Sequence, residues 1–248
     1  MTSYVLVVGA QRCGTTYLYR VLDEHPEIAM AKPARPEPKF FLDADKCRRG
    51  LAWYEATYFA GAESLPVHGE KSTSYIESPK AAERAAAMLP NAHALAMLRD
   101  PIDRAISNWR FSTESELESR PLEQALAENL ERPQPWDRSR FSVSPFAYLE
   151  RGRYVDYLTP WQQFFPGRVH VLFLEEFACN VDAVARLYER MGVDRTFRPS
   201  RLSEKVNASE SSTSGIGSSL VQQLQDYFKE SNERLSNNLE RELPWTGG

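Results

Sequence analysis

Cysteine and histidine are scarce and scattered in this chain of 248 residues. The three cysteines, Cys13, Cys47 and Cys179, are odd in number and far apart. That excludes a disulfide framework and suits a reducing compartment. The four histidines (His25, His68, His93 and His170) form no HxxxH, and no CxxC accompanies them, so no metal site is expected. A run of about 18 apolar residues is also missing, which argues against a transmembrane helix. The opening MTSYVLVVGA has no basic leader region, and its apolar run is too short for a secretory signal. A cytoplasmic location is therefore expected. Nor is there an excess of positive charge. A net charge of −4 implies no basic face for nucleic acid, although a local cluster can still hold a small anion.

What remains is an ordinary globular composition, 42% apolar and 26% charged, long enough for one α/β domain with insertions. YVLVVGA, AHALAMLRD and VHVLFLEEF read as buried strands, and VHGEKSTSYIES as a strand end with its loop. Helical patterns fall on Thr15 to Leu22, LAWYEATYF, PKAAERAAAMLP, PIDRAISNWRF, RYVDYLTPWQQFFP and VDAVARLYERMG. A last helix, SLVQQLQDYFKESNERLSNNLER, has Leu220, Leu224, Tyr227, Leu235 and Leu239 near one face. AKPARPEPKFF and PQPWDRSRFSVSPF are proline-bearing loops, and ASESSTSGIGSS is of low complexity. Strands alternating with helices predict a P-loop-type three-layer α/β/α fold with a central, mostly parallel sheet. Ligands then bind at the carboxyl ends of the strands.

Two of those ends carry phosphate chemistry. In VLVVGAQRCGTTYL, Gly9 and Gly14 bracket four residues and Thr15-Thr16 open the helix. Backbone amides at such a turn bind anionic oxygen whatever the side chains. A triphosphate loop would have lysine where Thr15 stands. Arg12 sits inside the loop instead, always charged and unable to donate a proton. Gln11 to Tyr17 therefore suit a single 5′-phosphate that carries a transferring group, without a metal. The second signal is MLRDPIDRAISNW. Arg99 ends an apolar strand, where an unpartnered charge is costly, and Ser107 lies about two helical turns on. Both can reach one phosphate. Arg104 is either a helper or a surface salt bridge to Asp100 or Asp103. Two phosphate sites without a triphosphate motif point to a doubly phosphorylated nucleoside.

GAQRCGTTYL resembles the 5′-phosphosulfate loop of sulfotransferases, and LRDPIDRAISNW resembles their 3′-phosphate motif. EPKFFLDADKCRRGLAWYEATYF is similar to the segment of heparan sulfate sulfotransferases that carries the catalytic glutamate. GEKSTSYIESPKAAERAAAMLPNAHALAMLRDP and RGRYVDYLTPWQQFFP resemble later parts of the same group, so the likeness runs from Tyr4 to Phe177. It implies 3′-phosphoadenosine 5′-phosphosulfate (PAPS) as the donor, adenosine 3′,5′-bisphosphate as its product, and no metal. By resemblance Glu37 is the general base for an acceptor hydroxyl. Lys71 lies near sulfate and acceptor, and Arg12 assists the leaving group electrostatically, in a place where heparan sulfate enzymes have lysine. Gly14, Thr15 and Thr16 hold the 5′-phosphate with Tyr17 nearby, and Arg99 and Ser107 hold the 3′-phosphate. By position alone Glu37 would be a solvated loop carboxylate and Lys71 a surface lysine.

One departure concerns the C-terminal loop that closes the cofactor site in this family, usually rich in Lys, Arg and Gly. Here RLSEKVNASESSTSGIGSS offers Arg201 and Lys205, then no cation for many residues: either Lys205, assigned to the cofactor, closes the site with Asn207 and backbone amides, or the cap is weak and mobile. One domain over 1–248 is expected, with an acceptor-binding insertion near 114–148 and a cap near 201–248. The insertion is acidic, then aromatic (Trp136, Phe141, Phe146, Tyr148). Those rings either receive a sugar, a phenol or another small molecule or close the core. The acidity disfavours a polyanionic chain and leaves a small-molecule or glycan acceptor, with the oligomeric state open. Two alternatives stand beside the sulfotransferase. One is a P-loop kinase with a degenerate loop, Glu175 or Glu176 serving as its acid; the other is a non-catalytic nucleotide-binding module.

Overall fold

A computed structural model describes residues 2–132, 134–137, 139–140, 143–203 and 216–246. In chain order its first half runs β1 (Ser3–Gly9), α1 (Thr15–Asp23), β2 (Ile28–Met30), α2 (Ala44–Arg48), α3 (Gly50–Tyr58), β3 (Val67–Lys71), α4 (Pro79–Met88) and β4 (His93–Leu98). The second half holds α5 (Pro101–Glu114), α6 (Leu122–Glu131), α7 (Tyr154–Phe164), β5 (Val169–Phe173), α8 (Leu174–Phe177), α9 (Val181–Met191) and α10 (Ser218–Leu239). Contacts divide the chain into two units: Met1–Leu98 with Tyr157–Val206, and Arg99–Asp156 with Asn207–Gly248. Among the described residues no helix is long and apolar enough to cross a membrane.

The first unit is built on a five-stranded sheet of order β2-β3-β1-β4-β5, parallel at every pairing. Helices flank it, as the α/β expectation required. β1 lies in the middle because Val5 to Val8 are apolar on both faces and bury completely or nearly so. α1 lays Leu18, Val21 and Leu22 into the core, and Tyr188 of α9 donates from its hydroxyl to the Val21 carbonyl at 2.8 Å. α4 starts on a Ser78 hydroxyl that accepts from the Ala81 amide, with Pro79 in its first turn, a cap contributing about 1 kcal/mol.

Three elements differ from expectation. VHGEK is not a strand end but β3, a fully buried inner strand between β2 and β1. Its Gly, Glu and Lys disfavour a strand on propensity, and its tertiary partners override that. β2 has only three residues, too few for a period to show. The predicted strand VHVLFLEEF stops at Phe173, and LEEF forms one helical turn, α8.

The second unit packs α5, α6 and α10 around Ile102, Ala105, Ile106, Leu126, Leu224 and Phe228. Asp100 caps α5, its carboxylate accepting from the amides of Ile102 and Asp103 at 2.8 and 3.0 Å. Arg104 is not on the surface, where a salt bridge to Asp100 or Asp103 was one of its two expected roles. It is fully buried and donates to Asn108 Oδ1 and to the carbonyls of Ala147 and Tyr148. Arg104 therefore ties α5 to the end of the 114–148 segment. Tyr148 closes the core as well: it is buried and donates to Glu118 Oε2 at 2.9 Å. Glu118 is itself buried and paired with Arg120, so part of this segment's acidity is neutralised inside the unit. Phe141 lies outside the described residues.

Candidate active site

The carboxyl ends of β1 and β3 adjoin. Val7 is the register partner of Lys71, and the Ser72 amide donates to the Val7 carbonyl at 3.1 Å. On the other side the Ala10 amide donates to Met97 of β4 at 2.8 Å. The loop after β1 turns through left-handed backbone twice, at Arg12 (φ 68) and Gly14 (φ 82). That geometry aims successive amides toward one concavity. Gly14 is required there. A Cβ would lie 2.6 Å from Leu174 Cδ1 in addition to the strain of its φ.

α1 begins immediately after, with no side-chain cap and no acidic residue in its first turn. Its N-terminus is thus arranged for an anion. Arg12 and Thr16 are exposed, whereas Thr15 is buried. Cys13 is buried too, its thiol donating to the Gln11 carbonyl at 3.7 Å. Tyr17 is also buried. Its hydroxyl donates to the Leu202 carbonyl at 3.3 Å and accepts from the Cys179 amide at 3.2 Å. Tyr17 thereby fastens α1 to the segments after α8 and α9.

Glu37 is not a solvated loop carboxylate. Its side chain is 17% exposed, and that of its ion-pair partner Lys71 only 7%. The Lys71 ammonium donates to Glu37 Oε1. The Thr73 amide donates to Oε2 at 2.9 Å, and the Thr73 hydroxyl reaches Oε2 at 3.0 Å and Oε1 at 3.2 Å. The carboxylate is therefore fixed by groups at the end of β3 and just beyond it, beside the loop after β1. Thr73 was missed in the sequence. Its hydroxyl lies two residues past Lys71, and no spacing rule marks it.

Arg99 and Ser107 belong to the second unit. Arg99 follows the last residue of β4, is 5% exposed, and donates from Nη2 to Asp103 Oδ2 at 3.1 Å. Its carbonyl accepts from the Tyr154 hydroxyl at 2.8 Å, which fixes the turn into α5. Ser107 lies partly exposed on α5. Lys205 and Asn207 lie outside the described residues. Glu175 and Glu176 are exposed on α8 and do not end a strand, so the acid that a kinase would need is not built there.

A glycine turn between a central parallel strand and a helix, beside a loop carboxylate paired with an ammonium at the end of the adjacent strand, is the arrangement of a P-loop-type domain without the triphosphate lysine. The chain belongs to the sulfotransferase domain family, whose model matches residues 2–214. It is 29% identical over 198 residues to heparan sulfate glucosamine 3-O-sulfotransferase 6 of Homo sapiens, covering 77% of this chain and 52% of that protein. It is 35% identical over 106 residues to bifunctional heparan sulfate N-deacetylase/N-sulfotransferase 1 of Homo sapiens, covering 42% of this chain and 12% of that protein. The chain thus spans about half, or much less, of these relatives. Among solved structures, a sulfotransferase from Alicyclobacillus acidocaldarius superimposes with a TM-score of 0.77 at 27% identity, over 96% of both chains. The expected fold and sulfotransferase class are both borne out.

Proposed function

We propose that this protein transfers the sulfuryl group of PAPS to an acceptor hydroxyl, with Glu37 receiving the hydroxyl proton. The observation that carries the reading is the fixed Glu37 carboxylate, gripped by Lys71 and Thr73 next to the loop after β1. PAPS supplies a sulfur centre already bonded to a good leaving group, a 5′-phosphate oxygen. As the acceptor oxygen bonds to sulfur, that S–O bond breaks and adenosine 3′,5′-bisphosphate leaves. Positioning and charge stabilisation account for most of the catalysis in such a transfer. The donor set fits the group: left-handed backbone at Arg12 and Gly14 and an uncapped helix start suit a phosphate. Arg12 supplies charge at the leaving side, and Gln11 to Tyr17 form the 5′ site. Arg99 and Ser107 are assigned to the 3′-phosphate, and Lys205 to the cofactor.

Lys71 orients Glu37 before the acceptor arrives. A general base must sit within hydrogen-bond reach of the proton it takes, and a carboxylate gripped by three donor groups changes its aim little. The acceptor is a small molecule or glycan. The support is the 114–148 segment, where Trp136 is partly exposed, while Tyr148 lies in the core and Phe146 packs against it. A cytoplasmic site of action accords with three free thiols. Titration calorimetry with adenosine 3′,5′-bisphosphate, run beside ATP with Mg²⁺, tests the reading. Tight binding of the bisphosphate and weak binding of ATP is expected. The reverse preference would restore the kinase.

A further inference from the structure

Glu70 has no part in the chemistry proposed above, yet it is the most thoroughly buried acid near the site. It is wholly inaccessible on β3, one residue before Lys71. All three of its hydrogen-bond donors are hydroxyls: Tyr54 to Oε2 at 2.8 Å, Ser72 to Oε1 at 2.6 Å and Tyr75 to Oε1 at 2.5 Å. Burial pushes the Glu70 carboxyl up, and the bonds from Ser72, Tyr75 and Tyr54 pull it back. The same burial beside Glu70 pushes the phenols of Tyr54 and Tyr75 well up, so they stay protonated and donate.

A hydroxyl has one proton and two lone pairs. Once its proton is committed to Glu70, it can only accept from other groups. Two of these hydroxyls do so, and both accept from the loop that carries Glu37. The Lys39 amide donates to Ser72 Oγ at 2.8 Å, and the Phe41 amide donates to the Tyr75 hydroxyl at 3.0 Å. Lys39 lies at φ 49, left-handed backbone that a non-glycine residue holds only when its surroundings enforce it. The segment from Glu70 to Tyr75 thus grips the Glu37 loop twice. Lys71 and Thr73 hold the carboxylate, while Glu70 acts on the loop backbone through Ser72 and Tyr75.

We propose that Glu70 is a positioning residue for Glu37: as a buried acceptor it polarises Ser72 and Tyr75, and these fix the loop's aim. The inference rests on Glu37 being the base. It predicts that an acceptor atom is needed at position 70 and that a charge is dispensable. In Glu70→Gln the amide oxygen can take the place of Oε1, still accepting from Ser72 and Tyr75, with the NH₂ turned to Tyr54. In Glu70→Met no acceptor remains.

Transfer from PAPS is measured with the phenol, alkyl glycoside or chito-oligosaccharide that wild type sulfates best. Bisphosphate affinity is measured by calorimetry, and exchange of the Lys39 and Phe41 amides by NMR. For Glu70→Met, kcat should fall about 100-fold, the cost of a misaimed catalytic group. Bisphosphate Kd should stay within about twofold, and both amides should exchange at least about tenfold faster. For Glu70→Gln, kcat should fall less than about tenfold. Adding Glu70→Met to Glu37→Gln should cost nothing further, because the effect runs through Glu37.

Full kcat in Glu70→Met, or unchanged exchange at both amides, would overturn the proposal. So would a Glu70→Gln enzyme as slow as Glu70→Met, since that would make Glu70 an acid–base group. Full activity in Glu37→Gln would instead remove the base itself, and the exchange rates would still decide whether Glu70 anchors the loop. If Glu70→Met does not fold, Ser72→Ala replaces it: faster Lys39 exchange with a roughly tenfold lower kcat is expected, and wild-type values of both would refute the relay.

Discussion

Replacing Gly14 with alanine separates two costs that usually arrive together. The left-handed φ of 82 costs a residue with a Cβ about 1 kcal/mol. The added methyl would also lie 2.6 Å from Leu174 Cδ1 and 3.4 Å from Cδ2. Leu174 is buried on α8, so the side chain must shift within a packed core, at a cost of about 1–3 kcal/mol. Together these make about 3 kcal/mol, which lowers Tm by about 6–12 °C in a chain of this size. Gly167 is the control. Its φ is +71, and nothing lies within 4 Å of where its Cβ would be, so Gly167→Ala should cost about 1 kcal/mol, or about 2–4 °C. Circular dichroism melts of both variants give the comparison. Bisphosphate titration should then show affinity down at least about tenfold in Gly14→Ala and unchanged in Gly167→Ala. Equal melting shifts, or an unaffected Gly14→Ala affinity, would show that the loop is neither packed nor used as argued.

Other consequences are as direct. Arg120→Met strands the buried Glu118 carboxylate, whose Oε2 accepts from Arg120 at 2.5 Å. Stability should fall by about 3 kcal/mol, seen as an earlier urea midpoint, and Glu118→Gln in the same chain should recover most of it; no recovery would contradict the pairing. Arg99→Ala should weaken the bisphosphate about 10- to 100-fold while changing adenosine 5′-phosphosulfate little, and equal losses would show that Arg99 does not read the 3′-phosphate. Acid should also destabilise the fold through His170. Its pKa is lowered to about 4 by burial, then by the charges of His93 and Arg190. The unfolded chain therefore binds a proton below about pH 6.5 that the folded chain refuses until about pH 4, and stability is lost as pH falls through that window. The full difference would be about 3 kcal/mol; the ring is partly exposed, and screening reduces it to about 1–2. His170→Phe should flatten the melting temperature between pH 6.5 and 4.5, and an unchanged slope would assign the acid loss elsewhere.

How much of this was legible depended on whether a residue's partners were local. The turn from Gly9 to Thr16 is a local device, and its glycines and threonines announced the strand–helix junction. β1, β4, α1, α4, α5 and α9 were equally plain, since apolar runs, Pro at N1 and the Gly192 stop are written in adjacent residues. β3 was not, because its Gly, Glu and Lys become strand residues only through pairing with β1 and β2. Arg104 could be read only from its distance to Asp100 and Asp103, whereas its partners at Ala147 and Tyr148 lie more than forty positions away. The grip of Thr73 on Glu37 and the relay from Glu70 through Ser72 to Lys39 join segments more than thirty residues apart. Resemblance pointed to Glu37 and Lys71, but their direct contact and their burial became visible only in the fold.

Whether Glu37 is the base is decided by the rate of sulfuryl transfer at saturating PAPS in wild type and Glu37→Gln, with bisphosphate affinity measured alongside. A general base contributes about 10²- to 10⁴-fold. Glu37→Gln should lose at least about 100-fold in turnover, with affinity within about twofold of wild type. Wild-type turnover in Glu37→Gln would contradict it and move the proton to another acceptor.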